Sequence, residues 1–180
     1  GRTLYYLVIA KPENLQRREA VREANLQLAD PRRTPPQKAR ELIARNPALV
    51  WLAFGIHGNE TSSTEAALLT AYHLLADRRP ETRRLLDDAI VLIDPLQNPD
   101  GRARFLAQTL LGRAARPDPE PAAAEHAEPW PGGRSNHYLF DMNRDWFALT
   151  QPETPGRIGV ALDYSPPRAV DPHEMGGHTT

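Results

Sequence analysis

The chain has 180 residues, 40% of them hydrophobic and 25% charged, with a formal net charge of -1. This is ordinary globular composition and enough chain for one domain with a real core, and a near-zero charge points to no nucleic-acid or anionic-membrane partner. Cysteine is absent, so disulfides and thiolate metal sites are excluded and any metal must be held by His, Asp or Glu.

In chain order, "TLYYLVIA" (3–10) is β-rich and reads as a strand. Residues 12–28 read as a helix: Pro12 suits a first turn, and Val21, Ala24 and Leu28 share one face. "DPRRTPP" is a loop, and "QKARELIAR" a short helix stopped before Asn46-Pro47. "ALVWLAF" (48–54) is a continuous apolar run, as in a strand buried on both faces. Residues 61–77 form the clearest helix. Ser62 and Glu65 have capping-box spacing there, and Ala66, Leu69, Tyr72 and His73 follow helical periodicity. The basic run "RRPETRR" (78–84) reads as a solvated helix end. "AIVLID" (89–94) is a second buried strand, ended by the turn-rich "PLQNPDG".

Residues 102–111 can be helical. A Pro/Ala-rich loop at 112–134 follows, of a length that is usually functional or disordered. "QPETPGRIGVALDY" is ambiguous: Thr154-Pro155 can open a helix, but Gly156 and Gly159 oppose one. "PRAVDP" (167–172) is a short final strand. Alternating strands and helices without a repeat predict an α/β fold with a mainly parallel sheet. No apolar run reaches the about 18–20 residues of a membrane span.

Such folds place their sites at the carboxyl ends of the strands. Three polar clusters fall there: "HGNE", "NPDGR" and "DPHE". His57 and Glu60 share a turn, and His173 ends another strand. Two imidazoles and a carboxylate would leave the fourth position of a zinc ion open, as in catalytic rather than structural sites. Each signal is weak alone. His57 also reads as a loop histidine bonded to backbone, and His173 as a strand-end residue beside an exposed Glu174. His73, His126, His137 and His178 are expected outside any site.

Together these segments resemble the zinc carboxypeptidase family, the carboxypeptidase A/B-like metallopeptidases. "GRTLYYLVI" is similar to its early Gly-Arg strand and "GIHGNE" to its first zinc motif. "NPDGR" matches the next turn, "FDMNRDW" its substrate-binding segment, and "VDPHE" the strand bearing the third ligand. The resemblance implies one Zn2+ held by His57, Glu60 and His173, with Asp141 accepting the ring N–H of the first histidine. It implies Asn143 and Arg144 as the grip on a substrate's terminal carboxylate. Guanidinium chemistry suits that role, being a permanently charged fork. Arg134 is the candidate carbonyl polariser, with Arg113 and Arg116 as rivals.

The resemblance further implies a mainly parallel mixed sheet flanked by helices, a peptide substrate, and secretion or a periplasmic location. The rivals are a zinc deacylase taking N-acyl amino acids and a non-catalytic binding domain. Residues 1–180 read as a partial catalytic domain, the N-terminal portion of a longer protein cut at both ends. The family's general-base glutamate is expected beyond Thr180, and Glu174 does not match it. The isolated chain is therefore expected to be inactive and loosely packed.

Overall fold

The structure, a computed structural model, describes residues 2–175. Gly1 and His178, both named above, lie outside the described residues. Four strands form one sheet in the order β1-β3-β2-β4. Strand β2 (Ala48–Ala53) lies centrally and runs parallel to both β3 (Ala89–Asp94) and β4 (Arg168–Val170). Strand β1 (Leu7–Ile9) pairs antiparallel with β3. The sheet is thus mixed and mainly parallel, as expected.

The apolar runs of β2 and β3 are continuous because both sheet faces are covered. Side chains alternate across a strand. Leu49, Trp51, Ala53, Ile90 and Leu92 pack on one face with Val21 and Tyr164. Val21 belongs to α2 (Arg18–Ala29) and Tyr164 to α7 (Glu153–Tyr164). Val91 and Ile93 pack on the other face with Phe54 and with Ala67, Ala71 and Leu74 of α4 (Thr61–Ala76). Full burial of each large aliphatic side chain stabilises the fold by about 1.5–3 kcal/mol. Among the described residues, no helix is long and apolar enough to cross a membrane.

Several local expectations are corrected. The first strand is only three residues long. The helix read over 12–28 breaks at Arg17 into α1 (Pro12–Gln16) and α2. Asn14 ties α1 to the carbonyls of Leu86 and Asp87, whereas α2 is positioned by Val21 on the sheet, so one straight helix does not serve both anchors. The third helix, α3 (Pro36–Arg45), stands where expected. Residues 78–84 are no helix end. They open a separate helix, α5 (Pro80–Asp88), whose Thr82 hydroxyl donates to Asp77 Oδ2 at 2.6 Å.

The Ser62/Glu65 capping box does not form. Glu60 occupies the N-cap of α4, and the Ser62 N–H donates to Glu174 instead. The buried face of α4 is also not the one expected: Leu69 and Tyr72 are 68% and 71% exposed. Apolar residues surround this helix almost completely, so periodicity alone does not choose a face. Helix α6 (Pro99–Gly112) begins at Pro99 rather than at 102. The ambiguous 151–164 segment is largely the helix α7. A Cβ on Gly156 or Gly159 would meet nothing within 4 Å, so these glycines weaken a helix that tertiary burial of Thr154, Arg157 and Tyr164 still secures.

Candidate metal centre

Because β2 runs parallel to β3 and β4, three carboxyl ends emerge at the same edge of the sheet. The chain leaves β2 through Gly55, whose φ of 67° lies in the left-handed region that favours glycine. A Cβ there would also meet Thr64 Oγ1 at 2.6 Å. The turn that follows delivers His57 and Glu60, and the end of β4 delivers Asp171 and His173.

The turn is held by its neighbours. Asn98 is fully buried. Its side-chain oxygen caps α6 by accepting from the Gly101 N–H at 2.8 Å, and its amide nitrogen donates to the carbonyls of Ile56 and Arg134, both at 3.1 Å. Gly58 N–H donates to Gly133 O at 2.9 Å. Glu128, from the Pro/Ala-rich loop, accepts from Asn59 Nδ2 and from the Gly133 N–H. That loop is irregular apart from a single 3-10 turn at Ala124–His126, and its far end is fastened to the site.

His57, Glu60 and His173 each offer a ligand atom, and these atoms all lie within 4.8 Å of one another. Glu60 stands between the two rings. Its Oε1 is 2.7 Å from His57 Nδ1 and its Oε2 is 3.0 Å from His173 Nδ1. Each ring has its other nitrogen on a second carboxylate: His57 Nε2 is 3.1 Å from Asp141 Oδ1, and His173 Nε2 is 3.1 Å from Asp171 Oδ2. Carboxylate oxygens thus face both nitrogens of each ring, and an ion bound at the two Nδ1 atoms would leave each Nε2–H to its outer carboxylate. That donor set fits a divalent ion of the zinc type.

Arg134 adds positive charge at the rim. Its Nε donates to Asp141 Oδ2 at 3.0 Å, and its Nη1 is 3.8 Å from Glu60 Oε1. Arg113 and Arg116 are exposed in the loop. Burial opposes ionisation of Asp141, but the Asn143 N–H, the His57 ring and Arg134 outweigh it and hold the carboxyl below its ordinary value. Asn143 and Arg144 lie in a short 3-10 turn, Met142–Arg144, directly after Asp141. The Asn143 side-chain oxygen accepts from Trp146 Nε1 at 2.9 Å. Arg144 is exposed, with Nη1 donating to the Asn143 carbonyl at 3.0 Å. It does not pair with Asp145, which is buried and accepts from the Thr150 and Gln151 N–H groups and the Thr150 hydroxyl. Burial raises the Asp145 pKa less than those donors lower it, leaving it at about 2.

His73, His126 and His137 are exposed and lie outside this cluster. Asp171 is part of the "DPHE" cluster but has no role in the sequence reading; it lies just past the end of β4 and reaches back to His173 Nε2. Asn98 was read only as part of a turn. An Asn directly before a Pro at the first helical position is an N-cap signal.

The family described as zinc carboxypeptidase matches residues 1–170. Among solved structures, one that matches is the crystal structure of a Burkholderia mallei protein assigned as a carboxypeptidase, at 16% identity and a TM-score of 0.59. The match covers 97% of this chain and 32% of that one. None of the curated proteins matches.

Proposed function

This chain belongs to the zinc carboxypeptidase family, and from that premise we propose that it acts in zinc-dependent hydrolysis of peptide bonds next to a free C-terminal carboxylate. The observation that carries the reading is the run of carboxylates and imidazoles from Asp141 through His57, Glu60 and His173 to Asp171. A structural histidine has no need of two carboxylates, one at each ring nitrogen.

In this reading His57, Glu60 and His173 would hold one zinc ion, which when bound would supply Lewis-acid polarisation and activate water. Asp141 and Asp171 fix ring orientation and tautomer. Arg134, already 3.8 Å from Glu60, would turn toward a scissile carbonyl oxygen as negative charge develops there. Arg144 would take the substrate's terminal carboxylate through its fork. Asn143 would assist through its amide N–H groups, since its oxygen is committed to Trp146. Glu174 is a poor base, because its carboxylate accepts from the α4 backbone.

The test is hydrolysis by the intact protein of peptides with free or amidated C-termini and of N-acyl amino acids. It is run with zinc, and again after removal of metal by a chelator. Zinc-dependent cleavage of the free-carboxylate peptides is expected. Cleavage of N-acyl amino acids alone would move the assignment to a deacylase, and zinc-independent cleavage would end it.

A further inference from the structure

Residues 132–136 are neither helix nor strand, yet each of their carbonyls is taken. Gly133 O accepts from the Gly58 N–H at 2.9 Å, and Arg134 O from Asn98 Nδ2 at 3.1 Å. The carbonyls of Gly132, Ser135 and Asn136 all go to one side chain. Arg104, on α6, donates from Nη1 to Gly132 O at 3.0 Å and to Ser135 O at 3.2 Å, and from Nη2 to Asn136 O at 2.8 Å. The segment also lies hard against α6, since a Cβ at Gly101 would be 2.3 Å from Gly133 O and 2.7 Å from Ser135 O.

The chain enters this segment from the Pro/Ala-rich loop through two consecutive glycines, and Gly132 takes a φ of 59°. Glycines leave the backbone a wide choice of path, so something else must set the direction in which Arg134 leaves it. The Arg134 side chain is 48% exposed, and packing alone does not aim it. It is aimed by its backbone and by Asp141, which accepts from its Nε at 3.0 Å. Carbonyls on both sides of Arg134 converge on the Arg104 guanidinium. A guanidinium carries five N–H donors in a rigid plane and reaches several acceptors at once, whereas an ammonium is a point donor. All three acceptors are main-chain, so Arg104 fixes the path of the backbone around Arg134.

We propose that Arg104 is the positioning residue for Arg134: it pins the backbone on either side, so that the Arg134 guanidinium is presented at the rim of the metal centre. The inference rests on reading Arg134 as the group that meets the scissile carbonyl. Among the described residues, none of the Arg104 hydrogen bonds runs to His57, Glu60 or His173, so its effect on the reaction passes through Arg134. A donor that stabilises developing charge works because it is already in place, and a misplacement of about 1 Å can cost about 10²-fold in rate.

The experiment uses the intact protein and the variants Arg104→Met, Arg104→Lys and Arg134→Ala, with Arg104→Met also placed in the Arg134→Ala background. Three quantities are measured: turnover of free-carboxylate peptides, zinc affinity by chelator competition, and hydrogen exchange of the Arg134 Nε–H in the metal-free protein. Arg104→Met should lower kcat by roughly 10–100-fold. KM should change little, because Arg144, the proposed grip on the terminal carboxylate, is untouched. Zinc affinity should stay close to that of the unaltered protein, and the Arg134 Nε–H should exchange faster. Arg104→Lys should recover part of kcat. In the Arg134→Ala background Arg104→Met should cost nothing further, since residues that act as one unit are not additive. Equal losses in both backgrounds, or a loss of zinc affinity that matches the loss of kcat, would make Arg104 a structural support and overturn the proposal. An unaltered kcat in Arg134→Ala would end the reading of Arg134, and the proposal with it. If Arg134→Ala loses kcat while Arg104→Met keeps it, the reading of Arg134 stands and the positioning role falls. Should Arg104→Met fail to fold, Arg104→Lys in both backgrounds decides by the same comparison.

Discussion

Gly58→Ala tests how tightly the ligand turn is fitted against α6. A Cβ at this position would lie 2.0 Å from Arg102 N, 2.2 Å from Gly101 C and 2.7 Å from Arg102 Cα. Carbon atoms in contact normally sit about 3.5–4.0 Å apart. All three neighbours are backbone, so no side-chain rotation relieves the clash, and the turn and the start of α6 must separate by more than about 1 Å. That opening pulls on the Gly58 N–H to Gly133 O bond at 2.9 Å and on the Asn98 amide to Ile56 O bond at 3.1 Å. Overpacking costs about 1–3 kcal/mol, and a buried polar group left unpaired costs about 1–3 kcal/mol more. A loss of about 2–6 kcal/mol is therefore expected from these two terms. Zinc affinity should fall as well, because His57 and Glu60 flank the altered residue. Urea unfolding of the metal-free intact protein, with chelator competition for zinc, measures both. Gly156→Ala is the control: with nothing near its Cβ, it should stabilise α7 by about 0.5–1 kcal/mol. A Gly58→Ala protein with an unchanged midpoint and unchanged zinc affinity would refute the reasoning.

Other outcomes follow from the same geometry. Asp141→Ala should weaken zinc binding by roughly 10–100-fold; equal affinity by chelator competition would remove Asp141 from the support of His57. Arg144→Lys should cut turnover of free-carboxylate peptides, because a point charge does not replace a fork, and equal loss on amidated peptides would show a structural role instead. Burial pushes Asp94 up to about 7 from 3.8, against the pull of Arg157. The folded state then keeps a proton that the unfolded chain has lost, so stability should fall as pH rises through that interval, with a slope approaching about 1.4 kcal/mol per pH unit. Asp94→Asn should flatten the slope and raise the urea midpoint at pH 8; a flat profile for the unaltered protein would contradict this.

Much of the candidate site is legible in the sequence because its pieces are local. The "HGNE" turn and the "VDPHE" strand end each carry their residues within a few positions, after runs whose apolar continuity marks them as buried strands. What escaped depends on partners distant in the chain. Arg104 looks like any helical arginine until the carbonyls of Gly132, Ser135 and Asn136 are brought against it. The face of α4 was misjudged because Leu68, Leu69, Tyr72 and Leu75 are as apolar as the residues that dock, yet all four are more than half exposed. The broken first helix and the separate α5 are likewise set by tertiary anchors, Asn14 and Thr82, and not by local propensity.

The pairing of β4 has a consequence for the order in which the molecule comes together. Strands β2 and β3, with α4 and α5 between them, are a nearby and self-contained unit that already carries His57 and Glu60. His173 arrives only when Arg168 pairs with Val50, which closes a loop of about 120 residues. Three register pairs hold that strand, and all three of its residues are exposed. The last strand to dock is therefore also the one with least burial to keep it in place. The contacts of Glu60 with His173 Nδ1 and the Glu174 N–H act just beyond it. An ion shared by the early turn and the late strand would work as a clasp on that long loop, where closure entropy makes a cross-link most effective. Metal depletion should accordingly appear first as release of the β4 end, with faster amide hydrogen exchange at 168–174, while β2 and β3 remain protected.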